Sequence, residues 1–210
     1  MSDYRNTPLC KNLSNVKSKK EDLQATILLT YPGQKNIYRK VNNKKLSFFN
    51  SFADIYNKKC AYCGVSSDIN DLKQFEIDHF ICRAKSEDDN IAGKITNLRF
   101  SCFFCNRKKG SFFIDEEHQS LLDPDDNLIA QVFERTSDYQ ITISDDYKDD
   151  PFIKGFYSKL AFNNQLRRLD FLLMNMVNYS RTVKNIAIRD KLNTCIMLLL
   201  CKKNNLLFEQ

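Results

Sequence analysis

No stretch of this 210-residue sequence is long and apolar enough to cross a membrane. The longest apolar run, Cys195 to Cys201, falls far below the roughly 18 residues that a spanning helix needs. Met1 to Asn15, polar and mixed in charge, does not read as a secretory leader. The expectation is a cytoplasmic protein. No internal repeat is visible, which at this length leaves one domain with appendages. Histidine is scarce: only His79 and His118 could supply imidazole chemistry.

Cysteine is not scarce. The chain has eight, enough for a disulfide scaffold. Without a secretory signal, and with four of them in Cys-x-x-Cys pairs, metal is the better reading. Cys10, Cys82, Cys195 and Cys201 are left over. Cys195 and Cys201 lie in an apolar helical run and read as buried thiols; Cys10 receives no role.

The paired cysteines, Cys60/Cys63 and Cys102/Cys105, bracket the most informative stretch, which runs to Gly110. Two intervening residues let both thiolates of a pair turn onto one ion. Two such knuckles supply the tetrahedral sulfur set of a structural zinc. The 38 residues between Cys63 and Cys102 exceed a minimal zinc ribbon, so something is folded inside the loop. Phe75 to His79 reads as a short strand whose alternation separates Phe75, Ile77 and His79 from Glu76 and Asp78. A strand end or bulge must relax that alternation if Asp78 and His79 serve one site. Residues 82–96 read as a polar loop. The second knuckle opens a helix of about two turns, stopped by Gly110. On it Cys105 and Asn106 diverge by about 100°, so one can face zinc and the other a second site.

Around this core four stretches can be told apart. Residues 1–45 form a basic extension, with residues 1–20 loosely ordered and an apolar segment Leu23–Thr30 ending in a turn at Tyr31-Pro32-Gly33. Residues 46–115 hold the knuckles, preceded by an amphipathic helix with Leu46, Phe49, Phe52, Ala53 and Tyr56 at helical spacing. Residues 116–150 form an acidic linker, broken at Leu121-Leu122-Asp123-Pro124, with a short strand at Tyr139–Ser144. Residues 151–210 read as helices around 152–162, 164–178 and 181–203, with Phe156, Leu160, Leu166, Leu169, Leu173 and Met176 facing a core.

The net charge of +6 is uneven. Residues 1–60 carry 12 basic and 4 acidic side chains, residues 116–150 carry 2 and 11, and residues 151–210 carry 10 and 3. Two basic flanks around a neutral centre suit a polyanion such as nucleic acid. The acidic block should face away from phosphates or towards a basic partner.

Asp78-His79, Asn97-Leu98 and Cys102-x-x-Cys105-Asn106-x-x-Lys109, set inside the two knuckles, resemble the HNH (ββα-metal) endonucleases. The resemblance implies an α+β fold: a treble-clef-like ββα-metal core with a structural zinc, embedded in mostly α-helical N- and C-terminal regions. It implies a metal-dependent endonuclease acting on DNA and leaving a 5′-phosphate and a 3′-hydroxyl. His79 would be the general base that activates water, and an imidazole suits the task because it titrates near neutral pH. Asn97 would bond backbone across the active loop and hold His79 in place. Asp78 and Asn106 would hold the catalytic ion. Many HNH members have histidine at the position of Asn106. A carboxylate with an amide oxygen is a hard donor pair, which favours Mg²⁺ or Mn²⁺ there. Arg107, Lys108 and Lys109 follow on the same helix and would meet phosphates. Where the family often carries proline three residues after the histidine, this chain has Cys82.

A fainter resemblance covers the order CAYCG, DHF, NLRFSC, CNRKKG, then LLDP and a helical tail with Arg167-Arg168-Leu169. It is similar to the HNH subunits of Septu-type bacterial antiphage systems, which work with an ATPase subunit. That implies an ATPase partner docking on the acidic block or the helical tail. Two rival readings stay open: a non-catalytic zinc-knuckle module that binds nucleic acid, and an assembly subunit silent without its partner.

Overall fold

The computed structural model describes residues 3–8, 10, 12–86 and 88–208, with side chains to residue 206. Three helices lead in, α1 (Val16–Thr30), α2 (Tyr38–Val41) and α3 (Ser47–Ile55). After the first knuckle come β1 (Phe75–His79), a single helical turn α4 (Asp89–Ala92), β2 (Leu98–Cys102) and α5 (Phe103–Lys109). Then follow α6 (Glu116–Leu122), α7 (Ile129–Val132) and a hairpin of β3 (Phe133–Arg135) and β4 (Ile141–Ile143). The chain continues through α8 (Pro151–Lys159), α9 (Gln165–Thr182) and α10 (Ile186–Phe208). The architecture is thus mixed, many helices around two small sheets.

The central unit is β1, β2 and α5. The strands are antiparallel, with Phe75 opposite Cys102, Asp78 opposite Arg99 and His79 opposite Leu98. Phe75 and Phe100 stack at 4.9 Å between centroids, so the buried face of this hairpin is aromatic. Gly110 ends α5 at φ +52°, in the left-handed region glycine enters without a Cβ penalty. Three later helices start where side chains satisfy their free N–H groups: Asp115 caps α6, Asp150 caps α8 ahead of Pro151, and Asn164 caps α9. Each such cap is worth about 1 kcal/mol.

One apolar cluster runs from Tyr4 to Met174 and includes Phe52, Phe75, Phe100, Phe133 and Phe156. Two expectations change here. Residues 1–20 are not loose where described: Tyr4 and Arg5 are buried, and α1 begins at Val16. The expectation for Met1, Ser2, Leu9 and Lys11 lies outside the described residues. Nor do residues 116–150 behave as a linker, because Leu122, Ile129, Val132, Phe133 and Ile141 are fully buried in the same core. Their acidic charge is partly consumed internally. Asp125 receives Lys20 at 2.6 Å and Arg99 at 3.2 Å, Asp123 receives Arg99 at 2.6 Å, and Tyr56 donates to Asp125 at 2.8 Å.

A second, small cluster joins α9 to α10 through Leu169, Leu173 and Ile196. Cys195 and Cys201, expected to be buried, are exposed. The face of α10 turned to α9 carries Leu192, Ile196, Leu199 and Lys203, and both cysteines lie off it. Ile186, Ile188, Met197 and Leu198 are exposed on the same helix. Among the described residues no helix is long and apolar enough to cross a membrane.

Candidate metal centre and catalytic cleft

Cys60 and Cys63 lie in the turn after α3, and Cys102 and Cys105 at the junction of β2 with α5. All four are buried, and their sulfurs lie within 4.8 Å of one another. A tetrahedral ion with metal–sulfur bonds of about 2.3 Å holds its sulfurs about 3.8 Å apart. Cys63 and Cys102 stand at 3.8 Å, so the set fits a metal ion. The first knuckle is tight. Gly64 has φ +78°, and a Cβ there would meet the Arg5 backbone oxygen at 2.5 Å. The N-terminal segment lies across this turn, with the Tyr4 hydroxyl donating to Tyr62 O at 2.6 Å and Arg5 to Ala61 O at 2.8 Å.

Four thiolates around a divalent ion leave a net negative charge in the core. Arg167 of α9, itself buried, meets it: one guanidinium nitrogen is 3.1 Å from Cys105 Sγ and the other 4.0 Å from Cys102 Sγ. The other face of that guanidinium lies over the Phe104 ring at 4.5 Å.

The second site is a cleft of about 300 Å³ at the end of β1, lined by Tyr38, Asp78, His79, Arg83 and Asn106 among others. Asp78 and His79 are neighbours on a strand, yet both line it. The cleft crosses the strand end, where the alternation of faces no longer separates them. Asp78 is buried; its carboxylate accepts from the Tyr62 hydroxyl at 2.5 Å and lies 3.1 Å from Lys109 Nζ. Burial pushes its pKa above the usual carboxylate value, while Lys109 and Tyr62 pull it down. The half-buried His79 ring packs on Tyr38 at 4.4 Å. Burial first, then the charges of Arg83 and Lys109, push its pKa down to about 4. The imidazole is therefore neutral at pH 7 with a lone pair able to accept a proton, but it titrates well below the near-neutral range expected from the sequence, because burial disfavours its charged form.

Asn97 closes the loop that follows His79. Its Oδ1 accepts from Ile81 N at 2.8 Å, and its Nδ2 donates to Ile81 O at 3.0 Å and Ala92 O at 2.9 Å. Three backbone bonds from one side chain fix the path of the chain leaving β1. Asn106 donates to Glu76 Oε2 at 2.5 Å, which leaves its own Oδ1 as acceptor. Asn106 and Asp78 thus face one cleft, in which Asp78 Oδ2 is engaged by the Tyr62 hydroxyl and Oδ1 by Lys109 Nζ at 3.2 Å.

The basic run after Asn106 divides. Arg107 and Lys108 are exposed. Lys109, expected among the phosphate contacts, is fully buried and bonds Asp78 and the backbone oxygen of His79, the latter at 2.7 Å. The helix turns position 109 inward, so its charge is spent on the Asp-His pair. Sequence reasoning gave no role at either site to Tyr38, Tyr62, Glu76 or Arg167; Glu76 entered only through the strand alternation, Tyr62 only within the first knuckle and Arg167 only within the helical-tail motif, and each reaches its site through long-range packing.

Two cysteine knuckles that could hold a metal ion thus bracket a ββα unit with an Asp-His pair at the end of its first strand. The HNH endonuclease family model matches residues 60–112, the span that contains this unit. No curated protein and no solved structure matched the chain.

Proposed function

We propose that this protein is a metal-dependent HNH endonuclease that hydrolyses phosphodiester bonds, with DNA as substrate. The observation that carries the reading is the cleft where a neutral His79 shares a wall with Asp78 and Asn106. The four cysteines would hold a structural zinc, closing a treble-clef-like core. Asp78 and Asn106 would hold Mg²⁺ or Mn²⁺, which when bound neutralises charge on the scissile phosphate and on the leaving oxygen. His79 accepts a proton from the attacking water, a contribution of roughly 10²–10⁴ in rate. The new bond joins water oxygen to phosphorus and the P–O3′ bond breaks, giving a 5′-phosphate and a 3′-hydroxyl. Asn97 keeps the backbone behind His79 in place, and Arg107 and Lys108 meet neighbouring phosphates.

A plasmid-nicking assay with Mg²⁺ or Mn²⁺ tests this, wild type beside His79→Ala, each checked for zinc. Cutting by the wild type, lost in the variant with zinc retained, is the expected result. Equal cutting by both removes His79 as base. No cutting by a folded, zinc-loaded wild type favours a non-catalytic or partner-dependent protein.

One observation favours the assembly reading alongside the enzymatic one. On the side of α10 turned away from α9, Met197 and Leu198 are exposed. We take this face, rather than the acidic block, as the surface for an ATPase subunit in an antiphage system. Asp123 and Asp125 are already engaged by Arg99 and Lys20. Mixing with the ATPase should raise nicking by the wild type and leave Met197→Asp at its basal rate.

A further inference from the structure

A second and larger cavity, about 730 Å³, lies beside a different face of α5 from the one that meets the catalytic cleft. Its walls come from Asn70 and Gln74 ahead of β1, from Phe103, Phe104, Arg107 and Lys108 of α5, from Leu166, Arg167 and Asp170 of α9, and from Lys203 of α10. Cys102 of the cysteine centre also lines it, whereas Asp78, His79, Asn97 and Asn106 do not. Its volume lies in the range of sites that enclose a small ligand or one unit of a polymer.

The lining chemistry is selective. Phe103, an aromatic ring at the start of a helix, is 52% exposed. Arg107 lies over it at 5.0 Å, and Lys108 lies 5.6 Å from the Phe104 ring. Among the described residues of the wall, Asp170 is the one acid, and Lys203 holds it at 2.6 Å. The wall therefore offers aromatic surface edged by positive charge, together with the side-chain amides of Gln74 and of Asn70, whose Oδ1 accepts from Lys203. A flat ring carrying a phosphate matches all three features.

Glu76 joins this cavity to the cleft. Its Oε2 accepts from Asn106, which lines the cleft, and its Oε1 accepts from Arg107 at 2.9 Å, which lines the cavity. One carboxylate thus separates the two.

We propose that this cavity takes an unstacked base from a single-stranded segment beside the scissile bond, with Phe103 as the stacking platform and Arg107 and Lys108 on the flanking phosphates. The proposal deepens the nuclease reading and rests on it for the position of the strand. A paired, stacked base has no free face to offer Phe103, so the site selects single-stranded or locally opened nucleic acid over closed duplex.

The test is binding, measured without added divalent ion so that nothing is cut. Fluorescence anisotropy would compare a labelled single-stranded oligonucleotide with the same strand annealed to its complement. The proteins are wild type, Phe103→Ala and Phe103→Tyr, each checked for zinc and melting temperature. The expected result is single-strand binding about tenfold or more tighter than duplex binding, lost about tenfold or more in Phe103→Ala and kept in Phe103→Tyr. A 2-aminopurine in the strand should be quenched by the wild type and not by Phe103→Ala. Equal affinity for both forms, unchanged in Phe103→Ala, overturns the proposal. The nicking assay separates its failure from that of the enzyme reading. Cutting that needs His79, with binding indifferent to Phe103, keeps the nuclease and sinks the cavity. Phe103-dependent single-strand binding with no cutting under Mg²⁺ or Mn²⁺ does the reverse.

Discussion

The ammonium of Lys109 stands 3.1 Å from the Asp78 carboxylate, with both side chains almost wholly buried. The end of α5 is thereby locked to the Asp-His pair at the end of β1. Removing one partner of such a pair leaves a buried charge uncompensated, at a cost of about 3–5 kcal/mol. Lys109→Met should therefore lower stability by about that amount in urea unfolding, and the double variant with Asp78→Asn should recover much of it. A loss under about 1 kcal/mol in the single variant would show that the pair is not holding the unit together.

Arg167 is the expected guardian of the cysteine centre. A group that donates to ligand sulfurs typically changes metal affinity by about 10- to 100-fold. Competition with a chromophoric chelator should show Arg167→Met releasing zinc that much more readily, with Arg168→Met, at an exposed neighbour, close to wild type. Full stripping of the ion should unfold the domain, read by circular dichroism alongside metal content, because structural zinc carries folding energy.

Asn97→Ala removes three bonds to backbone at once. Each buried group left unpaired costs about 1–3 kcal/mol. The expected signature is nicking reduced by about 10-fold or more with zinc content unchanged, since the loop that aims His79 loosens while the knuckles stay. A variant with full activity would remove Asn97 from the catalytic frame.

His118 ties two helix caps together. Its ring nitrogens lie 2.6 Å from Asp115 and 3.1 Å from Asp150, the caps of α6 and α8. Burial opposes its charged form, but the two carboxylates outweigh burial and raise its pKa. A raised folded value means that the contribution is complete below the unfolded value, about 6.5. It is lost as pH rises through the folded value. Urea unfolding at pH 5.5, 7 and 8.5 should find His118→Gln most destabilised relative to wild type at the lowest pH. A gap that widens with pH would reverse this assignment.

Much of the centre was legible because its residues lie close in sequence. Cys60, Cys63, Cys102 and Cys105 advertise themselves by spacing, and strand β1 falls on Phe75–His79 as its alternation says. The helix before the first knuckle was readable from Phe49, Phe52 and Ala53, all buried. What could not be read depends on distant partners. Lys109 looks like its neighbours Arg107 and Lys108, and only the turn of a packed helix sends it inward. Asp123 and Asp125 look like surface acids until Arg99 and Lys20 reach them from other elements. Tyr4 and Arg5 sit in a polar stretch with no periodicity, yet they cover the first knuckle. Cys195 and Cys201 erred the other way. An apolar run was read as buried, but only one face of α10 has a neighbour.

The placement of Arg167 also bears on how the chain is made. It lies 62 residues beyond Cys105, the last of the four sulfur donors. During synthesis all four cysteines leave the ribosome while the guanidinium that will neutralise them is still to be added. Metal captured at that stage sits in an uncompensated, more negative pocket. Once α9 is in place its guanidinium lies against Cys105 and Cys102, so an ion bound there would exchange more easily on the nascent chain than after translation ends.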